Sequence, residues 1–518
     1  MMDVACGVAA AALAILAPEK SPTMRTFDRI LIAGQWVSPH GQGHFDIHNP
    51  TTEEVCGRIP RADAVDVDAA VRAARSALLG WKLTPASERG RCLRAIADEM
   101  DARAAELGDV IVEELGAPAA MTAQYMVGFP ASTIRFYADL LEKGQFAFEQ
   151  RLGNSIVVRE PKGVVAAITP WNYPIHQITA KVGPALAAGC TVIVKPSCEV
   201  ALSCYLFAEI AGRHLPPGVF NFLSGKGSEI GEAMTVHPEV DMVSLTGSTD
   251  VGRRTMALAA RAIKEVSLEL GGKAANVILD DADPSVIRAG VFHAYTNAGQ
   301  TCAAWTRMLV PRAMHEEACR IAKDVAENVI VAGDPRVAPA PGTTRMGPQV
   351  SRHQYDSVLG YIRKGIEEGA TLVAGGLERP EGLERGWFVR PTVFGDVKPE
   401  MTIAQEEIFG PVLTILPYED EDDAVRIANS TIFGLGGAIW SADVDRAMRV
   451  GRLIDTGGID INGGTFNTIA PFRGIKQSGI GCELGVYGLE EYLTTKSFQL
   501  PVDGKIAAYL EGRFETRS

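Results

Sequence analysis

The segment Asn297-Ala-Gly-Gln-Thr-Cys-Ala303 sets one cysteine behind a Gly-Gln turn and ahead of small residues. Such a setting can hold a thiol at the mouth of a cleft. A thiolate is a strong nucleophile wherever a helix N-terminus or a neighbouring base lowers its pKa towards neutrality. Alone the pattern is weak, because a single cysteine more often serves as a small buried hydrophobe. Three other stretches give it company. Thr169-Pro-Trp-Asn-Tyr-Pro174 carries Asn172, an amide donor on a turn fixed by two prolines, suited to a developing oxyanion. Leu268-Glu-Leu-Gly-Gly-Lys273 places Glu269 in an apolar strand ending at paired glycines, where a carboxyl has a raised pKa and can act as a general base. Glu406-Glu-Ile-Phe-Gly-Pro-Val412 offers the Glu407 carboxylate and the Phe409 ring, a fit for a ribose and a planar base. Each has a plainer alternative: a turn asparagine, a salt-bridged glutamate, a solvated acid beside a core phenylalanine.

Further stretches stand at strand ends. Val194-Lys-Pro-Ser197 brings Lys195 to a position that suits a ribose or phosphate, or simply solvent. Leu245-Thr-Gly-Ser-Thr-Asp-Val-Gly252 reads as strand, glycine turn and helix, and amides at such a helix start favour a pyrophosphate. Its glycine spacing is neither that of the nucleoside-triphosphate loop nor that of the usual dinucleotide fingerprint. Phe222-Leu-Ser-Gly225 is another strand-end turn able to approach the same ligand.

Positioning these groups requires a sheet. Short apolar runs at Val164–Ile168, Val192–Val194, Val219–Phe222, Met242–Leu245 and Val266–Leu268 alternate with helical stretches after Pro174 and over Ala201–Ala211. That succession predicts a parallel sheet covered on both faces, with ligands beyond the strands' C-terminal ends. Past Gly271 a second run appears: strands at Val277–Leu279, Met308–Val310, Val412–Leu416 and Ala438–Trp440, with helices at Val286–Tyr295, Glu316–Asn328 and Ala424–Asn429. The Pro- and Gly-rich segment 333–349 predicts a surface loop. Near the N-terminus, short extended pieces at Ile30–Ile32 and Phe45–Ile47 precede a helix capped by Asp66 and a second one from about Ser87 to Leu107. Alternation between Gly144 and Arg159 predicts a hairpin turning at Gly153-Asn154. The strand Leu493–Leu500 has no obvious local partner, which points to pairing elsewhere, on another subunit for example.

The chain has 518 residues, too many for a single core, with nine cysteines and a formal net charge of −13. The acidic balance and the lack of a Lys/Arg block argue against nucleic acid. Without CxxC pairs or clustered spacing, neither disulfides nor a metal site is expected, and a reducing cytoplasm fits. His40, His44 and His48 recur every fourth residue, but Gly41, Gly43 and Pro50 break the helix that would align them as a metal face. The apolar run over residues 4–17 is too short to span a membrane and lacks a basic start, so residues 1–24 read as a disordered tail or a mis-called start before Met24.

Taken together and in this order, PWNYP, KPS, LTGSTxxG, ELGGK, GQTC, EEIFGPV and PFRGIKxSG resemble the aldehyde dehydrogenase superfamily, from about Phe27 to Leu500. The resemblance implies an α/β fold with a Rossmann-like parallel-sheet cofactor domain (25–143 and 161–270), a second α/β catalytic domain (271–482) and a small β oligomerisation domain (144–160 and 483–502), before a C-terminal tail (503–518). It implies oxidation of an aldehyde to a carboxylic acid with NAD or NADP, in a homodimer or homotetramer. Cys302 would be the nucleophile and Glu269 the base for the hydrolytic water. Asn172 and the Cys302 amide would hold the oxyanion, with Lys181 in support. Thr169, Pro170, Trp171, Leu270 and Gly271 would border the cofactor. Lys195, Ser197, Cys198 and Gly225 would take its adenosine end, Thr246, Gly247, Ser248 and Gly252 its pyrophosphate, and Glu407 with Phe409 the nicotinamide end. His176, Gln177, Thr301, Asn462 and Phe472 would line the substrate channel, where a small Ala180 leaves room for a medium-sized aldehyde with some polar character.

Departures matter too. The family often has Glu where this chain has Cys198; losing that carboxylate removes a repulsion and makes NADP plausible beside Lys195. Arg473 and Cys482 stand where Gly and Arg are common. CoA-acylating relatives usually lack the Glu of ELGGK, which is present here, and a non-catalytic binding protein would not need the whole set.

Overall fold

The computed structural model describes residues 24–502 and residue 509. The tails expected over 1–24 and 503–518 otherwise lie outside the described residues. Five strands, Val164–Ile168, Thr191–Lys195, Phe220–Phe222, Met242–Thr246 and Glu265–Glu269, form the parallel centre of the first sheet. Their apolar runs form strands with both faces buried, because helices cover each side. Val164–Ile168 lies between Thr191–Lys195 and Met242–Thr246, so the winding reverses there. Ligands in such sheets sit beyond the strand ends at this reversal. Register brings the key residues level: Ile168 pairs with Lys195 and Leu245, and Thr246 with Glu269. Antiparallel strands finish both edges, Ile30–Ile32 and Gln35–Val37 on one, and Gly479–Ile480 on the other.

The second sheet runs in the order Thr371–Ala374, Thr392–Gly395, Val412–Tyr418, Arg307–Pro311, Ala275–Ile278, Gly437–Trp440, Asp460–Ile461, and is parallel save for its first strand. Glu269 and Ala275 thus end one sheet and begin the next with only Leu270–Ala274 between them.

Several expectations need correction. Asp63, not Asp66, caps the helix Ala64–Leu83; Asp66 is the reciprocal partner three residues on, its carboxylate accepting from the Asp63 amide. The second helix breaks at Arg103 into Ala86–Ala102 and Ala104–Leu115, where the Arg103 guanidinium ties Glu106 to Glu209. The hairpin strands are Glu149–Leu152 and Ser155–Pro161; Phe146 and Phe148 precede them and pack on the core instead. Leu493–Gln499 has a partner in its own chain, pairing antiparallel along the whole of Ser155–Pro161. Its partner was invisible locally because 332 residues separate Leu493 from Pro161. The helix at Glu316 begins at His315 and ends in a wide π turn over Val325–Val329. Segment 333–349 is loop except for Thr344–Met346, which pairs with Ile330–Ala332.

Candidate active site

The nucleophile candidate is held by a strained turn. Asn297, Ala298 and Gly299 take φ values of 53°, 55° and 76° in succession, left-handed geometry that a non-glycine residue adopts only when its surroundings demand it. Three side-chain amides impose it. Gln300 Nε2 donates to the Asn297 carbonyl (3.0 Å), Gln349 Nε2 to the Ala298 carbonyl (3.1 Å), and Asn297 Nδ2 to the Asn172 carbonyl (3.0 Å). Asn172 returns the link, its Nδ2 donating to the Gln300 carbonyl at 3.1 Å. The cysteine turn and the Asn172 turn are therefore latched to each other from two ends. Tyr173 Oη and Thr301 Oγ1 add a third contact at 2.7 Å.

The paired glycines of ELGGK have a clear steric purpose. A Cβ on Gly271 would stand 2.3 Å from Glu407 Oε2, and one on Gly272 would stand 2.3 Å from the Cys302 carbonyl oxygen. Both neighbours need that bare backbone to reach the strand end, and the Gly272 amide donates to Glu407 Oε1 at 3.1 Å. Gly272→Ala is expected to displace the Cys302 segment and lower kcat by about 10²-fold, since misplacement of about 1 Å has that effect. A melting temperature near that of wild type, measured alongside, would separate displacement from unfolding.

Electrostatically the site is a set of buried acids. Burial raises Glu269 well above the usual carboxylate range, and the neighbouring Glu483 raises it further, while Lys181 opposes both. Lys181 Nζ meets Glu483 Oε1 at 2.5 Å with both side chains almost wholly buried. That lysine pairs with Glu483, Glu269 makes no ion pair among the described residues, and the nearby Gly474 amide and Arg473 only partly offset its burial. A carboxyl in this position holds its proton well above pH 4.5. The Cys302 thiol is also pushed up, to about 12, by burial and then by Glu407 and Glu269, with the Ala303 amide acting the other way. The expectation of a depressed thiol pKa is thus not met by the protein alone: acids, not bases or cations, surround the sulfur.

At the sheet's winding reversal the structure can be tested for a dinucleotide. Thr169 Oγ1 and Thr246 Oγ1, at the ends of adjacent strands, are buried and unpartnered among the described residues. A Cβ on Gly247 would meet only Leu245 at 3.7 Å, and one on Gly227 only Lys195 Nζ at 3.8 Å, so the backbone is open where a ligand would approach. Gly225 and Gly252 differ: added Cβ atoms there would strike Ile230 at 2.6 Å and Leu270 at 2.5 Å, so these glycines serve internal packing. Lys195 is buried and donates to the Pro196 carbonyl at 2.9 Å. Ser248 caps the helix Thr249–Ala259 through the Val251 amide. Trp171 and Phe409 meet edge to face at 5.3 Å, beside Pro170 and beside the Glu407 carboxyl, which burial raises to about 7. The residues present fit a dinucleotide laid from Lys195 to Glu407.

A model of the aldehyde dehydrogenase family matches residues 36–498. The chain belongs to the aldehyde dehydrogenase family. Among its relatives, 3-succinoylsemialdehyde-pyridine dehydrogenase of a Pseudomonas species is 44% identical over 476 residues, covering 92% of this chain and 98% of the relative. Among solved structures, a cysteine-to-alanine variant of aldehyde dehydrogenase C from Pseudomonas syringae, complexed with NAD+ and octanal, is 42% identical with a TM-score of 0.90, covering 93% of this chain and 100% of that one. Mycobacterium tuberculosis aldehyde dehydrogenase complexed with NAD+ is 40% identical with a TM-score of 0.88, covering 92% and 99%.

Within this aldehyde dehydrogenase the remaining expected residues divide. His176 and Phe472 join an aromatic wall whose other members the sequence did not reveal: Tyr125 packs on Phe129 at 4.9 Å, and Phe466 contacts Phe129 (6.3 Å), His176 (6.4 Å) and Phe472 (6.0 Å). Gln177 is buried with its Oε1 unpartnered among the described residues, like His176 Nδ1. Asn462 is not among them. Its amide is tied at both ends to the Ser441 backbone, at 3.0 and 2.9 Å, where it fixes the end of the strand Gly437–Trp440. Ala180 is fully buried, so it does not provide the open space expected of it. Glu483 was missed, although an acid in the glycine-flanked run Gly481-Cys-Glu-Leu-Gly485 is the same signal that singled out Glu269.

Proposed function

We propose that this chain oxidises an aldehyde to a carboxylic acid with NAD or NADP, Cys302 forming a covalent thioester and Glu269 activating the water that hydrolyses it. The observation that carries this reading is the mutual latch between the Asn172 turn and the Gln300–Cys302 segment, with Glu269 close enough to raise the thiol. The Cys302 sulfur adds to the carbonyl carbon, and the oxyanion falls to Asn172 Nδ2, whose second hydrogen is not committed to Gln300. When bound, the nicotinamide supplies a hydride acceptor and a positive charge beside the thiol. Glu269 takes a proton from water, and the new oxygen displaces the sulfur. Glu483 and Lys181 keep a fixed pair of charges behind it, against which the Glu269 proton is balanced.

Lys195, Ser197 and Cys198 would hold the adenosine end, Gly247 the pyrophosphate, and Glu407 with Phe409 the nicotinamide end. Cys198 places its sulfur 3.1 Å from the Gly225 carbonyl, and Glu199 beside it is exposed. Cys198→Glu is expected to lower the ratio of kcat/KM with NADP to that with NAD by about tenfold, a charge effect of about 1.4 kcal/mol. An unchanged ratio would show that residue 198 does not face the ribose.

The substrate we propose is a medium-sized aldehyde with a polar group, supported by the aromatic wall and the unpartnered His176 Nδ1 and Gln177 Oε1. A strong preference for long alkyl aldehydes would count against it. We also propose a cytoplasmic homo-oligomer: the described cysteines are all free, and the small sheet ends in two edge strands, Leu493–Gln499 and Glu149–Leu152. No helix among the described residues is long and apolar enough to cross a membrane. The test of the whole reading is absorbance at the reduced-nicotinamide band, crossing both cofactors with an aldehyde panel and identifying free acid as product. Acyl-CoA as the sole product, or no cofactor reduction with any aldehyde, would end it.

A further inference from the structure

The Pro-rich segment 333–349 reaches the nucleophile turn through Gln349, and its earlier part roofs a cleft of about 370 Å³ directly behind that turn. The floor is apolar: Met121, Tyr125, Phe292, Tyr295, Ile330 and Met346. Pro335, Val337, Ala338 and Pro339 form the roof, and Val337 is about half exposed (53%). One cation lies in the wall. Arg345 donates its Nε to the Val337 carbonyl at 3.1 Å, and no ion pair to its guanidinium is found among the described residues. The inner end of the cleft is lined by Thr296, Asn297 and Ala298, the start of the left-handed turn that leads to Cys302. Thr296 also accepts the Thr301 hydroxyl at 3.2 Å through its carbonyl.

We propose that this cleft binds an amphipathic carboxylate, its chain against the apolar floor and its carboxylate on Arg345, and that the bound molecule slows the enzyme by shifting the Thr296–Ala298 turn. The proposal rests on the aldehyde dehydrogenase reading only for its effect on rate; the binding itself does not. An apolar surface of this size excludes water in favour of a hydrocarbon chain. The guanidinium selects a planar anion as the head group, through paired N–H donors. The turn is the responsive part, because three left-handed residues in a row persist only while their surroundings hold them. A carboxylate is also the class of molecule the reaction releases, so the site would let a chain-bearing product hold back its own formation.

Decanoate is the probe. Titration calorimetry on the wild-type protein should show saturable binding, reduced at least tenfold in affinity by Arg345→Ala and by Ala338→Trp, which fills the cleft from an exposed loop position. In steady state, decanoate should lower kcat for a short aldehyde without raising its KM, and both variants should lose that inhibition while keeping kcat/KM within twofold of wild type. Absence of calorimetric binding to wild type would overturn the proposal. So would equal binding by both variants, or inhibition competitive with the aldehyde. Should no aldehyde be oxidised at all, calorimetry still decides the cleft, so failure of the catalytic reading is seen separately.

Discussion

Cys302→Ala should abolish aldehyde oxidation, leaving less than about 10⁻⁴ of the wild-type kcat, in line with removal of a covalent nucleophile elsewhere, while cofactor affinity stays within a few-fold. The separation follows from position. Cys302 belongs to the second half of the chain and reaches the cofactor sheet by its turn, whereas Lys195 and Thr246 end strands of that sheet and Gly247 follows one of them. The fold should survive, because the turn is fixed by the amides of Asn297, Gln300 and Gln349 and not by the sulfur. Turnover would be read from reduced-nicotinamide absorbance and cofactor affinity from quenching of tryptophan emission. Residual activity within tenfold of wild type would mean that another group attacks the aldehyde. Alkylation adds a second readout: since the thiol is held up to about 12 by three acids and burial, iodoacetamide should label Cys302 slowly in the free protein.

What could be read beforehand follows the physics of the two kinds of information. Residues with chemistry of their own, at the ends of apolar runs, announce themselves: Glu269 in Leu268-Glu-Leu, Asn172 between prolines, Cys302 behind Gly-Gln. Parallel strands did so for the same reason, because burial on both faces leaves an uninterrupted apolar run such as Thr191–Lys195. Residues whose importance lies in what crosses the chain to meet them did not. Gly271 and Gly272 could be seen as a pair, but not that one admits Glu407 and the other the Cys302 carbonyl. Leu493–Gln499 read as an orphan because its partner is at Ser155–Pro161. Asn462 could not be seen to hold Ser441, because an asparagine that ties two strand ends has the same local sequence as one that faces a ligand. The thiol's pKa failed for a further reason: it is set by burial and by acids from three separate segments, and no local pattern carries that sum.

Glu269→Gln isolates the second half of the reaction. The substitution keeps size and burial but removes a buried carboxyl that makes no ion pair among the described residues, so the Lys181–Glu483 pair should remain intact. Acylation needs no water, and the expected result is a burst of reduced cofactor approaching one per active site. Steady-state turnover should then fall by about 10²–10⁴-fold, the usual contribution of a positioned base. Intact-mass measurement during turnover should find the acyl group on Cys302. The pH profile gives an independent reading. Glu269 must be ionised to accept a proton from water, and its pKa is raised by burial and by Glu483, so wild-type turnover should decline as pH falls through a value well above the ordinary carboxylate range. In Glu269→Gln that decline should be absent, because the titrating group is gone. A variant with an undiminished steady-state rate would remove Glu269 from the hydrolytic step. Equal loss of burst and steady state would place it in acylation instead, with the base for water to be sought at Glu483 or Glu407, the other buried acids that face the sulfur.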